Sequence, residues 1–243
     1  MNELSYGITK KKTKNSYLSL TLIFVGIGLF IFGTLVLSLG IFSKQVTYFI
    51  LNNFSSSTFF ITYLISTIVF FVWLILFSYL YKKLPFPVLV IGYIFTIIYM
   101  AFITFISMVA NGISTDRLWL IALIFLVSVI LTIACGIVGY FELIKVKVMS
   151  ILSIILLFGF LVLFIVSLFV FNSTLEMIYS LVGLAISGIN VFFSFYIISK
   201  KNTMFEFNST NDMLKDAISD AVMVFINIVY MIWYLLRLFG SRN

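Results

Sequence analysis

Near the C-terminal end, Asp216, Ser219, Asp220, Met223, Asn227, Tyr230, Tyr234 and Arg237 recur at intervals of three and four residues. At ~100° per helical residue they fall within an arc of roughly 100°, one continuous polar face. Almost every other position in the stretch is apolar. Carboxylates at one end of such a face attract cations, and amide and hydroxyl oxygens further along can line a path for them. Asp212 lies on the same face, at the start of the helix, where a negative charge suits the helix dipole. Asp220 itself reads two ways, as a solvated carboxylate at a membrane interface or as a pathway group. Asn227 lies deeper and does not titrate. Arg237 closes the face at the far end, where a long side chain can snorkel to headgroups.

A second, milder stripe precedes it: Ser180, Gly183, Ser187, Asn190 and Ser194. Its small residues permit close approach of a partner helix, and the expectation is that it meets the polar face that follows. The serines are expected to bond to their own backbone. Asn190 is balanced between plain packing and a pathway role, because a buried amide needs partners. The ion-pathway candidates are therefore Asp216, Asp220, Asn227, Asn190 and Ser187.

Other chemistries lack their residues. The chain has no histidine, which removes histidine-based acid–base catalysis, histidine metal sites and the usual hydrolase arrangements. Its single cysteine, Cys135, sits in an apolar run and reads as a small packing residue. No enzyme activity, cofactor or bound metal is expected.

The elements that carry these residues follow from composition. Of 243 residues, 63% are hydrophobic and 9% charged, whereas soluble domains carry about 25% charged residues. Lipid must be the solvent for most of the chain. The net charge of +7 does not point to nucleic acid, because the basic residues stand in short clusters between apolar runs. About 20 apolar residues cross a bilayer core. Seven stretches meet that test: Leu18–Phe42, Thr58–Tyr81, Val88–Ala110, Leu118–Phe141, Val148–Phe171, Met177–Ser199 and Ala217–Leu236. Runs this long and uniformly apolar must be helices, since open strands cannot cross lipid. The first is too long for the apolar core of a signal peptide and is expected to be a retained span. Small residues such as Gly26, Gly28 and Gly33, and Thr132, Gly136 and Gly139, are expected to let helices approach closely.

The expected fold is an all-α membrane bundle of seven spans over residues 18–236. A basic segment, 1–17, precedes it and a short tail, 237–243, follows. Lys82-Lys83-Leu84-Pro85-Phe86-Pro87 holds both prolines and breaks the chain between the second and third spans. The longest loops are expected at Ser43–Ser57 and Lys200–Asp216, with shorter connections at Asn111–Arg117, Glu142–Lys147 and Asn172–Glu176. With the N-terminus in the cytoplasm, eleven basic residues lie inside: Lys10, Lys11, Lys12, Lys14, Lys82, Lys83, Lys145, Lys147, Lys200, Lys201 and Lys215. Four lie outside: Lys44, Arg117, Arg237 and Arg242, which together make the chain's 15. This asymmetry sets the orientation. The C-terminus is then outside if the last segment crosses, and inside if it is re-entrant.

Three segments resemble the Bax inhibitor-1 family. Asp216-Ala-Ile-Ser-Asp-Ala-Val-Met-Val-Phe-Ile-Asn227 followed by Tyr234-Leu-Leu-Arg-Leu-Phe-Gly240 is similar to that family's C-terminal span and its Leu-Leu-Arg-hydrophobic-Phe-Gly ending. Ile186-Ser-Gly-Ile-Asn-Val-Phe-Phe-Ser194 resembles the family's Ser-Gly segment before its first membrane aspartate. Val138-Gly-Tyr-Phe-Glu142 is similar to its Tyr-Gly-Tyr ending. The resemblance implies seven helices with the last among the other six, and a passive calcium leak. In prokaryotic members it implies a proton-sensitive aspartate pair, and in eukaryotic members a link to suppression of cell death. Here the two latch positions fall on Phe193 and Asn227, which cannot share a proton. A weak cation leak that varies little between about pH 6 and 8 is the resulting expectation. The alternative is a non-conducting membrane interaction or regulatory protein. The expected partners are the lipid bilayer and small cations such as calcium. The Phe-, Ile-, Lys- and Asn-rich composition suggests a bacterial plasma membrane, with the endoplasmic reticulum as the other possibility.

Overall fold

Without water inside a bilayer, each backbone N–H and C=O must be satisfied within its own segment. The computed structural model describes residues 2–53, 56–110, 118–167, 173–204 and 209–240, and among them the only regular elements are helices. In chain order they are α1 (Asn2–Ile41), α2 (Ser43–Asn53), α3 (Ser56–Leu80), α4 (Phe86–Ala110), α5 (Leu118–Tyr140), α6 (Val146–Ser167), α7 (Ser173–Met204) and α8 (Thr210–Gly240). Arg117, Arg242 and the whole expected connection Asn111–Arg117 lie outside the described residues, as does Asn172. So do the side chains of residues 1–15, with Lys10, Lys11, Lys12 and Lys14 among them.

Six helices are long and apolar enough to cross a membrane: α1 over Ser16–Ile41, α4, α5, α6, α7 and α8. The expected second span is helix α3, 25 residues long, which holds the apolar helix Leu64–Leu80. The chain is thus a multi-pass helical membrane protein with six such helices among the described residues.

Two expected loops are largely helical. Ser43–Asn53 forms α2 rather than a loop. No proline or glycine interrupts it, and the amides of Phe42 and Val46 bond back to the carbonyls of Ser38 and Phe42, carrying the helical pattern across the junction. Likewise α7 runs on to Met204 and α8 begins at Thr210, so Lys200–Asp216 is mostly helix. The Pro85–Pro87 break is where expected. It ends at α4, whose first turn holds Pro87, a position where the missing N–H costs no helical bond.

α8 packs against α1, α4, α5 and α7; α6 packs on α7. Phe225 of α8 meets Phe32 of α1 and Tyr93 of α4 edge-on, with ring centroids 5.6 and 5.8 Å apart. The Tyr93 hydroxyl donates to the Phe24 carbonyl at 3.0 Å, tying α4 to α1. α3 joins α4 through stacked Phe70 and Tyr99 rings, 4.1 Å between centroids. Small residues act where expected in α5: a β-carbon on Gly139 would collide with the Phe192 backbone, and one on Gly136 would press on the Phe195 ring at 3.1 Å. Of the three glycines expected to do this in α1, Gly28 is tightly faced, by Tyr93, whereas Gly26 opens onto space.

A candidate polar site at the base of α8

α8 starts where its sequence can close the orphan amides of a helix end. The Ser209 hydroxyl oxygen accepts from the Asp212 amide at 3.1 Å, and its O–H donates to Asp212 Oδ2 at 2.8 Å. This is the serine half of a capping box; the Asp212 carboxylate accepts from the Ser209 hydroxyl rather than from the Ser209 backbone N–H. The expected role of Asp212 at the helix start thus has a specific geometry.

One turn and more beyond the cap, α8 enters a cluster drawn from four other segments. Lys201, near the end of α7, donates to Asp220 Oδ1 at 2.8 Å. The Tyr17 hydroxyl of α1 donates to the other oxygen, Oδ2. Tyr81, just past α3, lies near the Asp216 carboxylate. Lys215 donates to the Lys82 carbonyl at 3.3 Å, holding the α3–α4 connection against α8. Beside them Asn202 donates to the Tyr140 hydroxyl at 3.1 Å, linking α7 to the end of α5. Lys200 meets Glu142 at 2.6 Å. The start of α1's apolar stretch, the ends of α3, α5 and α7, and the start of α8 therefore gather at one end of the bundle. Lys82, Lys200, Lys201 and Lys215 share that end.

The Lys201 and Asp220 side chains are 17% and 15% exposed. A charge removed from water this far is costly unless paired and hydrogen-bonded. Here both carboxylate oxygens have a donor.

From this end α7 and α8 run antiparallel. Lys201 faces Asp220 at one end, and at the other the Arg237 guanidinium lies 5.7 Å from the Tyr179 ring centroid. Between them Gly183 abuts the Tyr234 ring, and a β-carbon on Gly188 would lie 3.8 Å from the Met231 methyl. From Tyr179 to Lys201 is 22 residues, or ~33 Å at ~1.5 Å each. That matches a bilayer core of about 30 Å.

The two faces of α8 are treated oppositely. Its apolar sides, from Ala217 and Ala221 through Phe225 and Val229 to Leu236, are fully buried. The polar stripe is the more open side, although its Ser219 is buried: Met223 is 40% exposed, and Asp216, Asp220, Asn227, Tyr230, Tyr234 and Arg237 are half-buried. The milder stripe of α7 meets this face where Gly183 abuts the Tyr234 ring, while Met223 on the same face is left open. Trp233 donates to Thr104 of α4 at 2.6 Å on one side, and Asp220 pairs with Lys201 of α7 on the other. At ~100° per residue, Met223 and Asn227 fall on the arc between those contacts. The stripe thus fronts the gap between α4 and α7.

The remaining candidates are placed as follows. Ser187 is buried and its hydroxyl donates to the Gly183 carbonyl at 3.0 Å, within α7 as expected for a serine. Asn190 is half-buried, and its carbonyl accepts from Ser194 at 2.9 Å. Asn227 donates to the Met223 carbonyl of its own helix at 2.9 Å. The Phe193 ring sits edge-on to Phe192, centroids 5.4 Å apart. Asp216 and Asp220 are thus drawn into one cluster with other helices, whereas Ser187 and Asn227 bond within their own.

Sequence reasoning missed Tyr17, Tyr81 and Lys201 as members of this cluster. Lys200 and Lys201 read as an ordinary interfacial pair, and Tyr17 as the last residue before a span. The available signal was Asp220 itself, a carboxylate one turn inside an apolar helix, which demands a donor from elsewhere.

The chain matches no protein-family model, and no curated protein matches it.

Proposed function

We propose that the chain is a divergent Bax inhibitor-1-like membrane protein that passes small cations, calcium among them, weakly along the polar face of α8. The reading takes α3 as a seventh span, α8 as the helix the others surround, and the Lys201 end as cytoplasmic. The membrane is a bacterial plasma membrane in this reading, and the chain carries out no enzymatic reaction. The observation that carries it is the continuity of the stripe: Asp216 and Asp220 at one end, then Met223, Asn227, Tyr230 and Tyr234 on the less buried side of a helix otherwise sealed by apolar contacts. A polar stripe in lipid is costly unless it meets water, protein or an ion.

Reconstitution in liposomes with an internal cation-sensitive dye tests the reading. Wild-type protein passes a measurable cation current, and Asp220→Asn lowers it. Asn227→Asp supplies a titratable group in the middle of the stripe and confers acid dependence that the wild type lacks. Wild-type liposomes no leakier than empty ones overturn the reading.

One observation favours the alternative, a non-conducting interaction protein. Asp220 is already neutralised by Lys201 and bonded by Tyr17, so its charge is not free to draw in a cation. Under that alternative neither substitution changes flux.

A further inference from the structure

The Lys201–Asp220 pair sits where the proposed path would begin. Lys201 comes from α7 and Asp220 from α8, and Tyr17 of α1 closes on the same carboxylate. Asp216 beside it lies near Tyr81, and Lys215 holds the α3–α4 connection across the same end. Both oxygens of the Asp220 carboxylate at this mouth are therefore occupied by donors of the protein itself. The stripe beyond is more open, with Met223 exposed one turn deeper than Asp220.

An ammonium group against a carboxylate at 2.8 Å occupies the place that a passing cation would take. Both groups are largely withdrawn from water, so the pair is screened little by salt and is held mainly by its own attraction. Separating it requires α7 and α8 to move apart at this end, or the Lys201 side chain to swing out along its flexible stem.

We infer that Lys201 is a tethered counter-cation that keeps the α7–α8 mouth closed by occupying Asp220. The inference rests on the cation-leak reading for its function but concerns the closure alone. Lys201 is a positioning residue here: it touches no ion in transit and acts by holding Asp220.

The two halves of the pair then have opposite effects. Removing the ammonium frees a carboxylate at the mouth, whereas removing the carboxylate leaves an unpaired ammonium that repels cations. A purely structural ion pair would give the same sign for both. The test uses full-length protein in liposomes, with Cys135→Ser and a reporter, Met223→Cys. Two quantities are read: the rate of reporter modification by a membrane-impermeant cationic methanethiosulfonate, and cation flux. Lys201→Gln raises the modification rate threefold or more, and Asp220→Asn lowers it. The charge-swapped double variant, Lys201→Asp with Asp220→Lys, returns it to the parent value.

A Lys201→Gln rate equal to the parent, or a swap modified several-fold faster than the parent, overturns the closure. If Lys201→Gln does not assemble, Asp220→Asn decides: a rate below the parent's upholds the closure, and a rate equal to or above it overturns it. Reporter rates that follow the pattern with no flux in any variant uphold the closure and overturn the leak. Wild-type flux with an indifferent reporter does the reverse.

Discussion

Gly183 of α7 lies directly against the ring of Tyr234 of α8, so close that a β-carbon on the glycine would overlap the ring atoms. The ring has little room to yield. Tyr179 stands 6.3 Å away and Phe160 6.4 Å away, centroid to centroid, both roughly edge-on. One close contact between the two helices that carry the polar stripes thus depends on one missing side chain. Gly183→Val should destabilise the bundle by about 1–3 kcal/mol through overpacking. Thermal unfolding in detergent, followed by loss of the monodisperse fraction, measures this. Adding Tyr234→Ala should recover part of the loss by making room, and an equal or larger loss in the double variant would contradict the contact.

The Ser209 cap makes a local prediction. Ser209→Ala removes the acceptor for the Asp212 amide and the donor to its carboxylate, and should cost about 1 kcal/mol. Faster amide exchange confined to the first turn of α8 is the readout. Uniform change across the bundle would point to another cause.

Glu142 has φ 53°, the left-handed conformation that a helix end most often assigns to glycine. Around it the Leu143 amide bonds the Val138 carbonyl at 3.1 Å, the wider of the two bonds that close such an end. Its pair with Lys200 is 43% and 32% exposed on the two side chains, and an exposed pair contributes little. Glu142→Gly trades that pair for relief of backbone strain and should be close to neutral. Glu142→Ala loses the pair and keeps the strain, so it should be about 1 kcal/mol less stable than the glycine variant. Equal melting temperatures for the two would refute this.

At the other end of α8, Trp233 donates to Thr104 at 2.6 Å, and Thr104 in turn donates to the Met100 carbonyl at 2.7 Å. Thr104→Val keeps the shape and leaves the indole N–H without its partner. A loss of about 1–2 kcal/mol is expected, with a shift in Trp233 emission. Replacing Trp73 and Trp119 by Phe isolates that signal among the chain's 3 tryptophans. An unchanged emission maximum would show that the indole does not depend on Thr104.

Much of the fold is legible without the structure because membrane helices answer to local rules. Apolar length, the Pro85–Pro87 break and the period of the Asp216–Arg237 stripe each act within one segment, so a reading of residues finds them. α2 was hidden because Ser43–Asn53 is neither long enough nor apolar enough to span, and only the absence of breakers favoured a helix there.

The sequence by itself determined that this chain is helical, that lipid is its solvent and that α8 has a polar and an apolar side. It could not determine which side is buried, because in lipid an apolar face is equally at home against hydrocarbon or another helix. Only the tertiary structure decided that the apolar sides of α8 are enclosed and its polar stripe is left the more open. It also decided the partners of Asp220. Tyr17 is 203 residues away along the chain and Lys201 is 19. A buried carboxylate specifies that donors must come, and the packing of α1, α7 and α8 alone specifies which.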